Sequence, residues 1–363
     1  MKIVVDDKIP YMLGPLTQLR EMLAARGEPL QVLAKSGGDI QPVDVRDAEI
    51  LIVRTRTRCD AHLLQGSAVR LVVTATIGYD HLDTPWLDAA GIRWTNCPGC
   101  NATSVAQYVC SCLIATCSPS DITLGIIGVG HVGRAVACAA QKIGVGRILL
   151  NDPPLEQQHA APPSGLRWSS LTEVLTESDV VTLHTPLTVD GPHPTLHLLD
   201  AEAFVQMERQ PTVINAARGG VVDEEALLHA LDSGLVSAAI IDTWEGEPAI
   251  NLTLLERAVI ATPHIAGYSA DGKVNATRMS MAAVADYLHL PDTFDIHAPR
   301  LPHFATEVGS PVGAPYHSDM SAAELQLWLY DPRRDSARLK ASPATFEAQR
   351  GHYPLRREVV ELA

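Results

Sequence analysis

Ile126-Ile127-Gly128-Val129-Gly130-His131-Val132-Gly133 closes an apolar, strand-like run and opens a helical pattern over 131–143. Gly-x-Gly-x-x-Gly alone is a weak signal. Between a strand and a helix it reads as a dinucleotide-binding turn. The first glycine permits a tight turn, the second lets a pyrophosphate approach the backbone, and the third allows the helix to pack close to the strand. The helix N-terminus favours the anion. Asp152 ends the next strand pattern, nineteen residues beyond Gly133. A carboxylate there accepts from both ribose hydroxyls of NAD and repels the 2′-phosphate of NADP.

Outward from this turn, strand-like runs recur at 122–130, 147–152, 180–185, 212–217, 238–244 and 259–264. Helical patterns separate most of them. Asp223–Leu231 is the clearest, with acidic residues in its first turn and Gly234 as its stop. Upstream, 2–7, 50–55, 71–76 and 92–97 form a similar series. Strands alternating with helices make parallel sheets covered on both faces. The expected fold is therefore α/β, with two doubly wound parallel-sheet (Rossmann/flavodoxin-like) domains. Residues 103–116 and 272–290 read as helices. From Pro291 onward prolines recur and the strand series ends, which marks a third, small module.

Composition narrows the function. Hydrophobic residues make up 46% of the 363, a globular proportion, and no stretch near 18 residues is uninterruptedly apolar, so no membrane span is expected. The start, MKIVVDD, lacks the basic and apolar regions of a signal peptide, so a cytoplasmic location is expected. A net charge of −14 opposes general nucleic-acid binding. Seven cysteines, an odd number, read as reduced thiols. Cys97-Pro-Gly-Cys100 has redox or zinc spacing, but no second ligand pair stands at finger spacing. A loop role is expected for it, and no metal.

Three polar residues fall at or just beyond the C-terminal ends of late strand runs, the edge where open α/β sheets bind ligands. They are Arg218 in Asn215-Ala-Ala-Arg-Gly-Gly220, Glu247 in Asp242-Thr-Trp-Glu-Gly-Glu-Pro248, and His264 in Thr262-Pro-His-Ile-Ala-Gly267. Hydride removal from a secondary alcohol needs a base for the hydroxyl proton and a cation for a neighbouring carboxylate. Histidine suits the first task and arginine's donor fork the second. A carboxylate beside the imidazole fixes its tautomer. Each residue alone reads equally well as a turn, a loop charge or a satisfied polar group. Their convergence on one edge behind the glycine turn makes the case.

These phrases, with His184-Thr-Pro-Leu187, resemble the D-isomer-specific 2-hydroxyacid dehydrogenases in the family's order, over roughly residues 1–290. The resemblance implies an NAD-dependent enzyme with Arg218, Glu247 and His264 as the catalytic set. It implies a discontinuous substrate-binding domain, 1–100 with 268–290, and an NAD domain, 101–267. Further phrases resemble one member of the family. They include Lys2-Ile-Val-Val-Asp-Asp7, Ile52-Val-Arg54, Pro98-Gly-Cys-Asn-Ala102, Asp152-Pro-Pro154, Tyr330-Asp-Pro-Arg-Arg-Asp335 and Tyr353-Pro-Leu-Arg-Arg-Glu358. That member carries a C-terminal α+β dimerisation domain, here 291–363, so a homodimer is implied. Its substrate is a small phosphorylated hydroxy acid, 4-phospho-D-erythronate, in pyridoxal phosphate (vitamin B6) biosynthesis.

By the same resemblance Thr55, Thr76 and Tyr268 touch substrate. Gly128, Gly130, His131, Val132, Gly133, Asp152, Thr185, Ala216, Ala217, Arg218, Asp242 and Gly267 line the NAD site, with Asp242 near the nicotinamide carboxamide. Arg54 is a candidate for an anionic substrate group, and alternation along a strand would put Arg56 and Arg58 on its face. The chain departs from the family in three places. The stretch 115–121 is short, alanine stands at Ala217 where this member often has cysteine, and the tail ends soon after Arg357. A trimmed dimerisation domain is the expectation. Two alternatives stay open: a related dehydrogenase acting on 3-phosphoglycerate, glycerate or lactate, and a non-enzymatic NAD-sensing protein on the same fold.

Overall fold

Short aliphatic runs form eleven strands in two parallel sheets among the residues that the structure, a computed structural model, describes: 1–298 and 319–358. The chain divides into two compact units, Met1–Asn101 with 269–298 and Ala102–Tyr268 with 319–358.

The first unit holds β1 (Lys2–Asp6), β2 (Gln31–Lys35), β3 (Ile50–Val53), β4 (Leu71–Thr74) and β5 (Arg93–Thr95), in the order β2-β1-β3-β4-β5. β3 and β4 are buried along their whole length because helices cover both faces. Ile50 and Ile52 join a core with Leu19 of helix Leu13–Ala24 and Met281 of helix Ala270–Tyr287. Leu51 and Val53, pointing the other way, pack with Val45, Leu63 and Leu87. β2 is absent from the sequence expectation. It is an edge strand, half-exposed along both faces, so its composition carries no continuous apolar signal.

The second unit holds β6 (Thr123–Ile127), β7 (Arg147–Asn151), β8 (Val180–Leu183), β9 (Thr212–Asn215), β10 (Ala238–Ile241) and β11 (Ile260–Ala261). Their order is β11-β10-β9-β8-β6-β7, and a parallel bridge between Leu150 and Trp168 continues the sheet past β7. The order reverses between β6 and β8, where such sheets open a ligand crevice at their C-terminal edge. Helix Ala102–Thr116 is buried along most of its length and packs against helix His131–Lys142.

The expectation of a separate α+β module starting at Pro291 falls on the tail, of which 291–298 and 319–358 are described. Residues 291–298 belong with the first unit, with Ile296 in its core. Among the described tail residues stand helices Ala322–Leu329, Pro332–Ala341 and Phe346–Gly351, and these belong with the second unit. Their large apolar side chains are spent on its sheet: Leu339 and Phe346 join the core on one face, Tyr330 that on the other. The part of that expectation falling on 299–318 and 359–363 lies outside the described residues.

Cys97 and Cys100 are buried, unbridged thiols. Burial pushes the Cys97 thiol up to about 11, and its Sγ lies 3.4 Å from the Thr74 carbonyl and 3.3 Å from that of Ala276, either of which can accept its one S–H; this suits packing rather than redox chemistry. Among the described residues no helix is long and apolar enough to cross a membrane.

Candidate active site

The glycine turn follows directly from β6. Gly128 sits at φ +85°, and a Cβ there would lie 2.7 Å from the His184 carbonyl carbon and 2.8 Å from the Thr185 nitrogen. A Cβ on Gly133 would run into the Gly128 carbonyl, so the helix can approach the strand only without one. Gly130 has open space instead, and no side chain caps the helix His131–Lys142 that it begins. His131 is exposed and Val132 half-buried in the first turn. Asp152, just past β7, accepts from Val129 N–H at 2.8 Å and from Leu155 N–H at 3.0 Å. It thereby fastens its strand end to the turn while its oxygens keep further lone pairs. Beyond β8 the Thr185 Oγ1 is buried with no partner. An open helix N-terminus, an orphaned hydroxyl and a carboxylate beside one turn fit a dinucleotide. Burial pushes His184 down to about 3, and it stays neutral.

Beyond β9, Ala216 and Ala217 lead to Arg218. Ala217 N–H donates to Asn215 Oδ1, whose amide donates in turn to the Arg218 carbonyl. The Arg218 Nη1 donates to the Ala217 carbonyl at 2.7 Å. A Cβ on the next residue, Gly219, would collide with the Trp244 carbonyl, so the Arg218 turn abuts the loop that carries Glu247. Trp244 ties this loop to the next: its N–H donates to Glu247 Oε1 at 3.0 Å and its indole to the Thr262 carbonyl at 2.9 Å.

His264, beyond β11, adopts a left-handed backbone at φ 55°. Such a conformation is costly for a side-chain residue and persists where surroundings impose it. Here its N–H donates to the Asp242 and Thr262 carbonyls. Its Nδ1 lies 2.9 Å from Glu247 Oε2 and 3.1 Å from Oε1. Both side chains are largely enclosed. Burial by itself raises the Glu247 pKa. The bond and charge of His264, the Trp244 N–H and the Arg350 charge outweigh it, and the carboxyl falls below its usual range. Gly267 and Tyr268 follow in the same loop. The Tyr268 ring meets Tyr353 edge-on, with centroids 6.2 Å apart.

Asp242, expected beside the nicotinamide carboxamide, stands just beyond β10. It is buried, and its carboxylate accepts from Thr262 Oγ1 (2.6 Å), Ile265 N–H (2.8 Å) and Ala266 N–H (3.0 Å). Its carboxylate thereby shapes the His264 loop.

In the first unit Arg54 and Thr55 stand just beyond β3 and Thr76 beyond β4, on one sheet edge. Arg54 donates to the Lys8 carbonyl at 2.8 Å. Thr76 Oγ1 donates to the Gly78 carbonyl and lies 2.8 Å from the Thr74 hydroxyl. The expected alternation of Arg54, Arg56 and Arg58 fails because β3 stops at Val53, and Arg58 pairs instead with Asp60.

Sequence reasoning missed Trp244, Arg350 and Arg356. Arg356 is buried and donates to the Ile265, Ala266, Tyr268 and Ser104 carbonyls and to Gln107 Oε1. Its guanidinium lies 4.0 Å over the Tyr330 ring. The phrase Tyr353–Glu358 was legible as a family mark, but nothing local in it pointed at the His264 loop.

Residues 113–266 match the family model described as D-isomer specific 2-hydroxyacid dehydrogenase, NAD binding domain. The erythronate-4-phosphate dehydrogenase of Bacteroides thetaiotaomicron is 45% identical over 99% of this chain and 97% of its own length. That of Escherichia coli is 37% identical over 99% of this chain and 92% of its own. A D-lactate dehydrogenase from Aquifex aeolicus, solved with NAD and lactic acid, covers 80% of this chain and 96% of its own with a TM-score of 0.62; at 23% identity it speaks for the fold. The chain belongs to the D-isomer specific 2-hydroxyacid dehydrogenase family and is an NAD-dependent dehydrogenase of the kind its full-length relatives represent.

Proposed function

We propose that the protein oxidises 4-phospho-D-erythronate at C2 to 2-oxo-3-hydroxy-4-phosphobutanoate, within pyridoxal phosphate biosynthesis, as a cytoplasmic homodimer. The names of its full-length relatives and the N-terminal and C-terminal phrases support this substrate over shorter or unphosphorylated acids. The observation that carries the chemistry is the 2.9 Å contact of His264 Nδ1 with Glu247 on the ligand edge of the sheet.

In this reading Nδ1–H donates to Glu247, which leaves Nε2 as the base for the C2 hydroxyl proton. Glu247, ionised, stabilises the imidazolium that results. Arg218 holds the substrate carboxylate and the C2 oxygen as that oxygen becomes a carbonyl. Arg54 takes the phosphate, and Thr55, Thr76 and Tyr268 hold the remaining polar groups. The glycine turn, Asp152, Thr185, Ala216, Ala217 and Gly267 hold NAD, which when bound accepts the C2 hydride at nicotinamide C4.

Steady-state NADH formation on 4-phosphoerythronate and on 3-phosphoglycerate tests the substrate. Preference for the four-carbon acid is expected, and preference for 3-phosphoglycerate overturns the assignment. His264→Asn should lower kcat by ~10²–10⁴-fold, the usual worth of a general base. Near-normal turnover in that variant refutes the role.

A further inference from the structure

We infer that Arg350, on a helix of the tail 86 residues beyond His264, is a positioning residue for the Glu247–His264 pair. The inference rests on the reading of His264 as the base. Arg350 Nη1 lies 3.6 Å from Glu247 Oε2, the oxygen that also meets His264 Nδ1 at 2.9 Å. Both the arginine and the glutamate side chains are largely enclosed. On its own helix Arg350 faces Glu347 at 3.7 Å, and it hydrogen-bonds the side chain of Tyr268. One guanidinium thus spans the catalytic carboxylate and the tyrosine assigned to substrate.

The charges around the pair explain why a cation belongs there. Asp242 beyond β10 faces His264, and Glu224 on helix Glu224–Ser233 faces Glu245 and Glu247. Glu245 accepts from His197, and Glu247 is the direct partner of His264. A cation beside Glu247 balances the carboxylate that sits among these acidic groups. Arg350 offsets the Glu247 charge and pins the oxygen that sets the imidazole's orientation. The helix cannot drift from this position, because a few residues on Arg356 grips three carbonyls of the same loop.

The test uses the full chain carrying Arg350→Ala, Arg350→Gln or Arg350→Lys, with melting temperature and NAD affinity as checks of folding. The imidazole of His264 is titrated by NMR, without substrate, and kcat and KM are measured across pH. Arg350→Ala and Arg350→Gln should move the imidazole titration and the acid limb of kcat/KM to higher pH. They should lower kcat about tenfold, the scale of one lost contact to a charged group. Arg350→Lys should restore most of both. Unmoved titration in a folded Arg350→Gln protein overturns the inference. A loss confined to KM also overturns it, since that marks direct substrate contact. Should wild type ignore 4-phosphoerythronate, the substrate assignment falls while the NMR titration still decides the role of Arg350.

Discussion

The Asp242 carboxylate accepts a 2.6 Å bond from the Thr262 hydroxyl, which also lies 2.9 Å from the hydroxyl of the buried Tyr108. With the Ile265 and Ala266 N–H groups as further donors, one carboxylate fixes the entry and exit of the His264 turn.

Asp242→Asn tests that clamp. An amide has one acceptor oxygen, so at least one of the buried donors loses its partner, at a cost of about 1–3 kcal/mol. Chemical denaturation should show that loss. kcat should fall more than NAD affinity, because the variant loosens the catalytic turn and leaves the glycine turn intact. Unchanged kcat would mean the carboxylate does not shape the site.

Gly133→Ala addresses the cofactor turn. The added methyl meets the Gly128 carbonyl, and backbone on both sides must part to admit it. NAD affinity should drop by more than tenfold in a fluorescence titration, and the melting temperature should fall with it. The reverse choice, Gly130→Ala, meets no protein atom and should leave the melting temperature in place.

Glu224 gives a pH dependence with a definite sign. Burial, together with Glu245, Glu225 and Glu247 nearby and against the Glu245 N–H bond, raises its carboxyl to about 7. The folded state therefore binds this proton more tightly than the unfolded chain, whose glutamates titrate near ~4.3. The stabilisation is complete below the unfolded value and is lost as pH rises through about 7. Melting curves should show wild type losing of order 1 kcal/mol across that window. Glu224→Gln keeps an acceptor for the Glu245 N–H and should flatten the loss.

Most of both sheets was legible because strands buried on two faces are written as continuous aliphatic runs. Their ends were not. The expected strands 50–55, 180–185, 212–217 and 238–244 stop at Val53, Leu183, Asn215 and Ile241. The overshoot contains Arg54, Thr55, Thr185, Ala216, Ala217 and Asp242, residues whose composition still reads as strand but whose backbone has left the ladder. The partnership of Glu247 with His264 followed from motif order. The partners of Arg350 and Arg356 did not, since a guanidinium meeting a carboxylate or main-chain carbonyls far away in sequence leaves no periodicity to find.

The grip of Arg356 on Ala266 spans 90 residues of chain. A nascent polypeptide in which synthesis has reached the histidine turn holds that turn's carbonyls with no buried donor to meet them. The nucleotide-cradling half of the sheet can be assembled early, but the acid–base turn is finished only when the distant arginine is made. Completion of that turn thus waits on a residue far downstream, made well after the catalytic residues themselves.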